Sequence, residues 1–139
     1  MKILGFVFGL FLIGFNGIAQ ESEGITITVT VENVLNDNGK VLAGLHTEAT
    51  FMKGDGIATY MGEAAKGEMT FTFENVAPGT YGISVMHDEN GNMRMDFEDT
   101  GMPKESYGMS NNVMAMGPPT FEDCKFEVTD KDVALSIRF

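Results

Sequence analysis

The residues Asp88 to Asp99, DENGNMRMDFED, carry side-chain oxygens at near-alternate positions. Counted from Asp88 as one, the oxygens fall at one (Asp88), three (Asn90), five (Asn92), nine (Asp96) and twelve (Asp99), with the Arg94 carbonyl at seven. That is the ligand spacing of an EF-hand calcium loop. Calcium takes about six to eight oxygens, and a tightly coiled loop can aim alternate side chains at one centre. Two positions depart from the EF-hand. Met93 holds the sixth place, where the sharp turn needs Gly, and Asp99 is shorter than the usual closing Glu. The alternative is an ion-free polar turn, because Asp and Asn also bond their own backbone and Gly supplies positive φ.

Other side chains could do different chemistry. His87 with Asp88, or with Glu105 further along, could form a general acid–base pair of a hydrolase. Neighbouring residues of a strand point to opposite faces, however, which sets His87 and Asp88 apart. His87 shares its face with Tyr81, Ile83 and Val85, so a core-edge histidine bonded to backbone is expected, and no enzyme. His46 is the other histidine, and the two have no zinc-ligand spacing. Cys124 is the single cysteine, which excludes an internal disulfide, and it is expected as a small buried side chain. Met102, Met109, Met114 and Met116 could offer sulfur to Cu(I), but the expected use is as filler, folding the loop back with Tyr107 onto the scaffold.

These residues must be held by strands. Ile25, Ile27, Val29 and Val31 alternate with Thr26, Thr28, Thr30 and Glu32, the period of a half-buried strand. Asn36-Asp37-Asn38-Gly39 is expected as a hairpin turn into a second strand, Val41 to His46. A short strand near 57–61 follows. Met69, Phe71 and Phe73 mark the next, and Tyr81 to His87 another after the Ala77-Pro78-Gly79-Thr80 turn. Phe126 to Val128 and Val133 to Phe139 are expected to form a terminal hairpin. No amphipathic helix of usual length appears. The expectation is all-β: a single sandwich of immunoglobulin-like or transthyretin-like type, with six to seven strands and one long loop at about 88–120. A loop of that length in a compact domain is functional, folded on itself, or mobile.

Residues 1–19 have the pattern of a signal peptide: Lys2, an apolar run from Ile3 to Ile18, then Gly17-Ile18-Ala19 as a cleavage-like site. Export is therefore expected, to the periplasm or beyond, with cleavage near Ala19 and residues 20–139 as one domain. Nothing later is apolar enough to span a membrane. The chain has 20 acidic side chains against 9 basic ones, net −11, which disfavours nucleic acid and suits a solubilised extracellular protein or one that recruits cations; the partner expected is an envelope or extracellular ligand of unknown identity. A monomer is expected.

The string FENVAPGTYGISVMHDENGNMRMDFEDTGMPKESYGMSNN, followed by GPPTFEDCKFEV, resembles the DUF2141 family of exported bacterial proteins. The likeness is densest at His87 to Asn92, Asp96, Gly101 to Glu105, Tyr107-Gly108, Ser110 to Asn112 and Pro119 to Phe121. Met93 stands where the family usually has a small residue, and Cys124 where Ala is common. The family implies no activity. The APGTY segment also resembles transthyretin-like, carboxypeptidase-regulatory sandwiches, a likeness of fold alone. Three roles follow as expectations: a binding or accessory module of the envelope with a calcium-stabilised loop, a hydrolase, or an interaction module using a sheet edge.

Overall fold

The computed structural model describes residues 24–113 and 118–139. The signal-peptide expectation for residues 1–19, and Met114 and Met116, lie outside the described residues. Eight strands run in chain order: β1 (Ile25–Val34), β2 (Lys40–His46), β3 (Ala58–Glu63), β4 (Gly67–Val76), β5 (Gly79–Asp88), β6 (Tyr107–Met109), β7 (Phe126–Val128) and β8 (Val133–Arg138). Between β6 and β7 lie a 3-10 turn, Ser110–Asn112, and a single helical turn α1, Phe121–Cys124. Thr120 caps that turn, its side chain accepting from the Asp123 N–H.

The strands form two sheets. One has the order β4-β1-β8; the other runs β3-β2-β5-β6, with β7 pairing the opposite end of β5. The inward faces are those the alternation marks. Ile27, Val29 and Val31 of β1, Val41 and Leu45 of β2, and Ile83 and Val85 of β5 are buried between the layers. Phe71 and Phe73 add aromatic bulk, and Tyr60 of β3 stacks on Phe71 with ring centroids 4.1 Å apart. The molecule is the expected all-β sandwich.

Three expectations are corrected. Asn36 to Gly39 makes no hairpin, because β1 and β2 belong to different sheets and the chain arches between layers. The terminal strands make no hairpin either: β7 pairs antiparallel with β5, and β8 pairs parallel with β1. In each case the turn was correctly placed, but its residues fix only a change of direction and not the partner. The third correction is the long loop, which contains β6 and the 3-10 turn, with α1 just after it, and so raises the described strands to eight.

Two glycines fix close approaches. Gly39, at φ +66°, passes so near the end of β5 that a Cβ would lie 2.0 Å from the Asp88 carbonyl oxygen. Gly108 lets β6 lie against β8, where a Cβ would meet Ile137 Cγ2 at 2.6 Å.

Candidate functional site

The site lies where β5 runs out of the sandwich. His87 and Asp88 point to opposite faces, as strand geometry requires. His87 is fully buried on the core face. Its Nε2–H donates to the Asn38 carbonyl at 2.6 Å, and its ring stacks on Phe139 at 6.5 Å. Nδ1 has no partner. Asp88 faces the other way, beneath the loop, and is also fully buried. Its Oδ2 accepts from the Met93 N–H at 2.7 Å, while Oδ1 is buried with no partner.

The loop after Asp88 coils tightly for reasons its residues supply. Asn90 Oδ1 accepts from the Asn92 N–H at 3.3 Å, and Asn92 Oδ1 accepts from the Arg94 N–H at 3.1 Å. These are consecutive Asx turns. Gly91 takes φ +71° and Met93 φ +66°. Met93 thus adopts the left-handed conformation that a Gly at the sixth place would supply, and its own N–H reaches back to the first residue. The substitution leaves the coil intact.

Beyond the coil the chain makes a small two-stranded arm. The Lys104 N–H donates to the Asp96 carbonyl at 2.8 Å, Phe97 bridges Pro103, and the Glu98 and Gly101 backbones close a turn at the tip. Asp99 stands in that tip turn, exposed, away from Asp96. Asp88, Asn90, Asn92 and Asp96 are brought together, and Asp99 is not. Met102, in the arm that stands out from the sheet, and Tyr107, on the outward side of β6, face solvent at 63% and 48% exposure instead of forming a satellite core.

Glu105 takes the place near Asp88 that spacing gave to no residue. Strand β6 pairs with β5 in the register Ser84 to Met109, Val85 to Gly108 and Met86 to Tyr107. The His87 N–H then donates to the Ser106 carbonyl at 2.8 Å. One further step sets Glu105 opposite Asp88. Glu105 is 7% exposed; its Oε2 accepts from the Glu89 N–H at 2.9 Å, and its Oε1 is buried without a partner. The signal that would have found it is a strand at Tyr107 to Met109, which the 88–120 loop reading passed over.

Electrostatics follow from this crowding. Burial pushes the Glu105 carboxyl above its ordinary range, the neighbouring Asp96 carboxylate adds to that, and the Asp88 charge acts the same way. Asp96 is held below the usual carboxylate range, first by the Glu105 carboxyl beside it and then by the Asn90 and Asn92 amides. The Asn92 Nδ2–H donates to Asp96 Oδ1 at 2.7 Å, and the Asn90 amide donates to the other oxygen. A cavity of about 420 Å³ opens beside this group, lined by Glu89, Asn90, Asp96, Phe97, Lys104 and Glu105. His87 is not among its walls. Among the described residues, no three His, Cys, Asp or Glu side chains already stand in metal-holding geometry.

The second histidine lies elsewhere. His46 is buried on the outer face of the second sheet, edge-on to Phe51. Its Nδ1–H donates to the Thr50 carbonyl at 3.1 Å, so Nε2 accepts from the Ser84 hydroxyl, also at 3.1 Å. Burial holds the imidazole below its ordinary value. Cys124 is buried, and burial pushes its thiol up, away from thiolate chemistry.

Fold and site together define a two-sheet β-sandwich that carries an acidic, Asx-turned loop at the end of a central strand. The chain belongs to the DUF2141 family, described as an uncharacterized protein conserved in bacteria, which matches residues 29–136. The comparisons with curated proteins and with solved structures gave no match. No helix among the described residues is long and apolar enough to cross a membrane.

Proposed function

We propose that the protein is an exported, non-enzymatic binding or accessory module of the bacterial envelope whose loop after β5 takes a calcium ion. The supporting observation is Asp88 Oδ1, a fully buried carboxylate oxygen with no hydrogen-bond partner. Burying such an atom costs about 1–3 kcal/mol or more when it is charged, and a hard cation removes that cost. The Asn90 and Asn92 oxygens, the Arg94 carbonyl and Asp96 supply further oxygens from the same coil, at EF-hand spacing. The carboxylates do not yet form a cage, so binding has to draw Asp96 away from the two amides that now hold it. The apolar start of the chain supports export. Extracellular calcium is abundant enough to fill sites of modest affinity, with Kd of about 0.1–1 mM.

Calorimetry on the chain beginning at Gln20 tests this. Calcium binds the wild type in that range, and the D88N variant loses the heat. Absence of heat and of any rise in Tm at millimolar calcium would sink the reading.

A further inference from the structure

Asp99, which the spacing offers as the closing ligand, stands at the tip of the arm. The carboxylate opposite Asp88 is Glu105. We infer that Glu105 is the closing, two-oxygen ligand of the cation, and that cation occupancy thereby decides whether the arm of residues 96–104 is clamped to β5 or free to swing. This rests on the calcium reading above.

Four observations carry it. Glu105 Oε1 is buried and has no partner, as is Asp88 Oδ1, so the two orphan oxygens belong to cross-strand neighbours. Glu105 lines the cavity beside the coil, whereas Asp99 does not. Glu105 and Asp96 line the same cavity and Asp88 lies opposite Glu105, so carboxylates from three backbone segments are neighbours, short of a formed cage. That crowding is repulsive when all are charged, and a divalent cation reverses its sign. The backbone holds Glu105 from both sides, through the Glu89 N–H on its Oε2 and the Ser106 carbonyl on β5. A glutamate reaches across such a gap with both oxygens, as the closing residue of a calcium loop does. A shell of this kind, with many protein oxygens, suits calcium better than magnesium, which keeps more of its water.

The mechanical consequence follows from where the ligands sit. Asp88 is the last residue of β5 and Asp96 the first of the arm, while Glu105 immediately follows the arm. One ion on all three ties both legs of the arm to the sheet. Arg94 and Lys104 are exposed at the two feet of the arm and are trypsin sites.

The experiment compares wild type with E105Q, E105D and D99N. Each is titrated with calcium chloride by calorimetry and digested with trypsin in calcium or EDTA. E105Q keeps the shape of the side chain and a hydrogen-bonding group for its neighbours, and its melting curve in EDTA checks that it folds. The expected result is a loss of affinity of roughly 10- to 100-fold in E105Q, the interval that ligand charge and rigidity open between classes of calcium site. E105D shows a loss of similar direction, and D99N stays within about twofold of wild type. Calcium slows cleavage at Arg94 and Lys104 in wild type and D99N but not in E105Q. Unchanged affinity in E105Q beside a calcium-binding wild type overturns the Glu105 assignment and leaves the calcium reading standing. A wild type that binds no calcium overturns both.

Discussion

At the scale of single residues, the loop is built by side chains that bond their own backbone. Met93 is the one costly member: it holds φ +66° with its side chain 59% exposed, so it contributes little packing in return. Met93→Gly is therefore expected to stabilise the fold by about 1 kcal/mol, or about 4 °C in Tm, with calcium affinity held or improved. Chemical denaturation and calorimetry check both. His46 gives a pH dependence. Its folded value lies below the ordinary 6.5, so the stability it contributes is complete above that value. As pH falls through 6.5 toward the folded value, the unfolded chain takes up the proton first and the contribution is lost. The Tm advantage of wild type over H46Q is expected to shrink between about pH 7.5 and 5. An advantage independent of pH would show that His46 is not the group responsible.

At the scale of elements, short pieces are held by single buried polar side chains. The 3-10 turn after β6 rests on Ser110, whose hydroxyl accepts from the Ile83 N–H at 3.0 Å and donates to the Cys124 carbonyl. It ties β5, the turn and α1 together where none has enough length to hold itself. Ser110→Ala leaves both backbone groups buried and unpaired, and is expected to cost about 2–4 kcal/mol in urea unfolding. Asn111 and Asn112 act alongside it. Both take positive φ, and their amides donate to the carbonyls of Lys125 and Ser136. The Ser-Asn-Asn run thus anchors an irregular connection by bonding backbone that no strand pairs.

At the scale of the whole molecule, the acidic surface and the loop combine. A chain of net charge −11 repels itself, and under the loop Glu105 is raised in part by its Asp96 and Asp88 neighbours. On the proposed calcium reading, a cation there relieves local repulsion and binds only the folded state. At about 5 mM calcium, with Kd of about 0.1–1 mM, the expected gain is about 1–2 kcal/mol. A scan of Tm against calcium concentration measures it; E105Q is expected to show a weaker response and D88N a flat one.

The strands were legible because burial on one face writes a period of two into the sequence, as in Ile25 to Val31 or Tyr81 to His87. The coil was legible because its spaced side-chain oxygens and its Asx turns are local, set by the loop itself. His87 and Asp88 could be separated for the same reason, since adjacent strand residues face apart. What needed the tertiary structure was every long-range pairing. Alternation does not say which sheet a strand joins, so the arch at Asn36 to Gly39 and the parallel return of β8 onto β1 were read as hairpins. Glu105 was hidden for the same cause. It stands far from Asp88 in sequence and reaches it only through the pairing of β6, a strand of three residues too short to show a period. The sequence by itself determined the sandwich and the coil of the acidic loop, because local sterics and one-sided burial dictate both. Only the tertiary structure decided which carboxylate lies opposite Asp88, because strand pairing set that meeting and residue spacing does not record it.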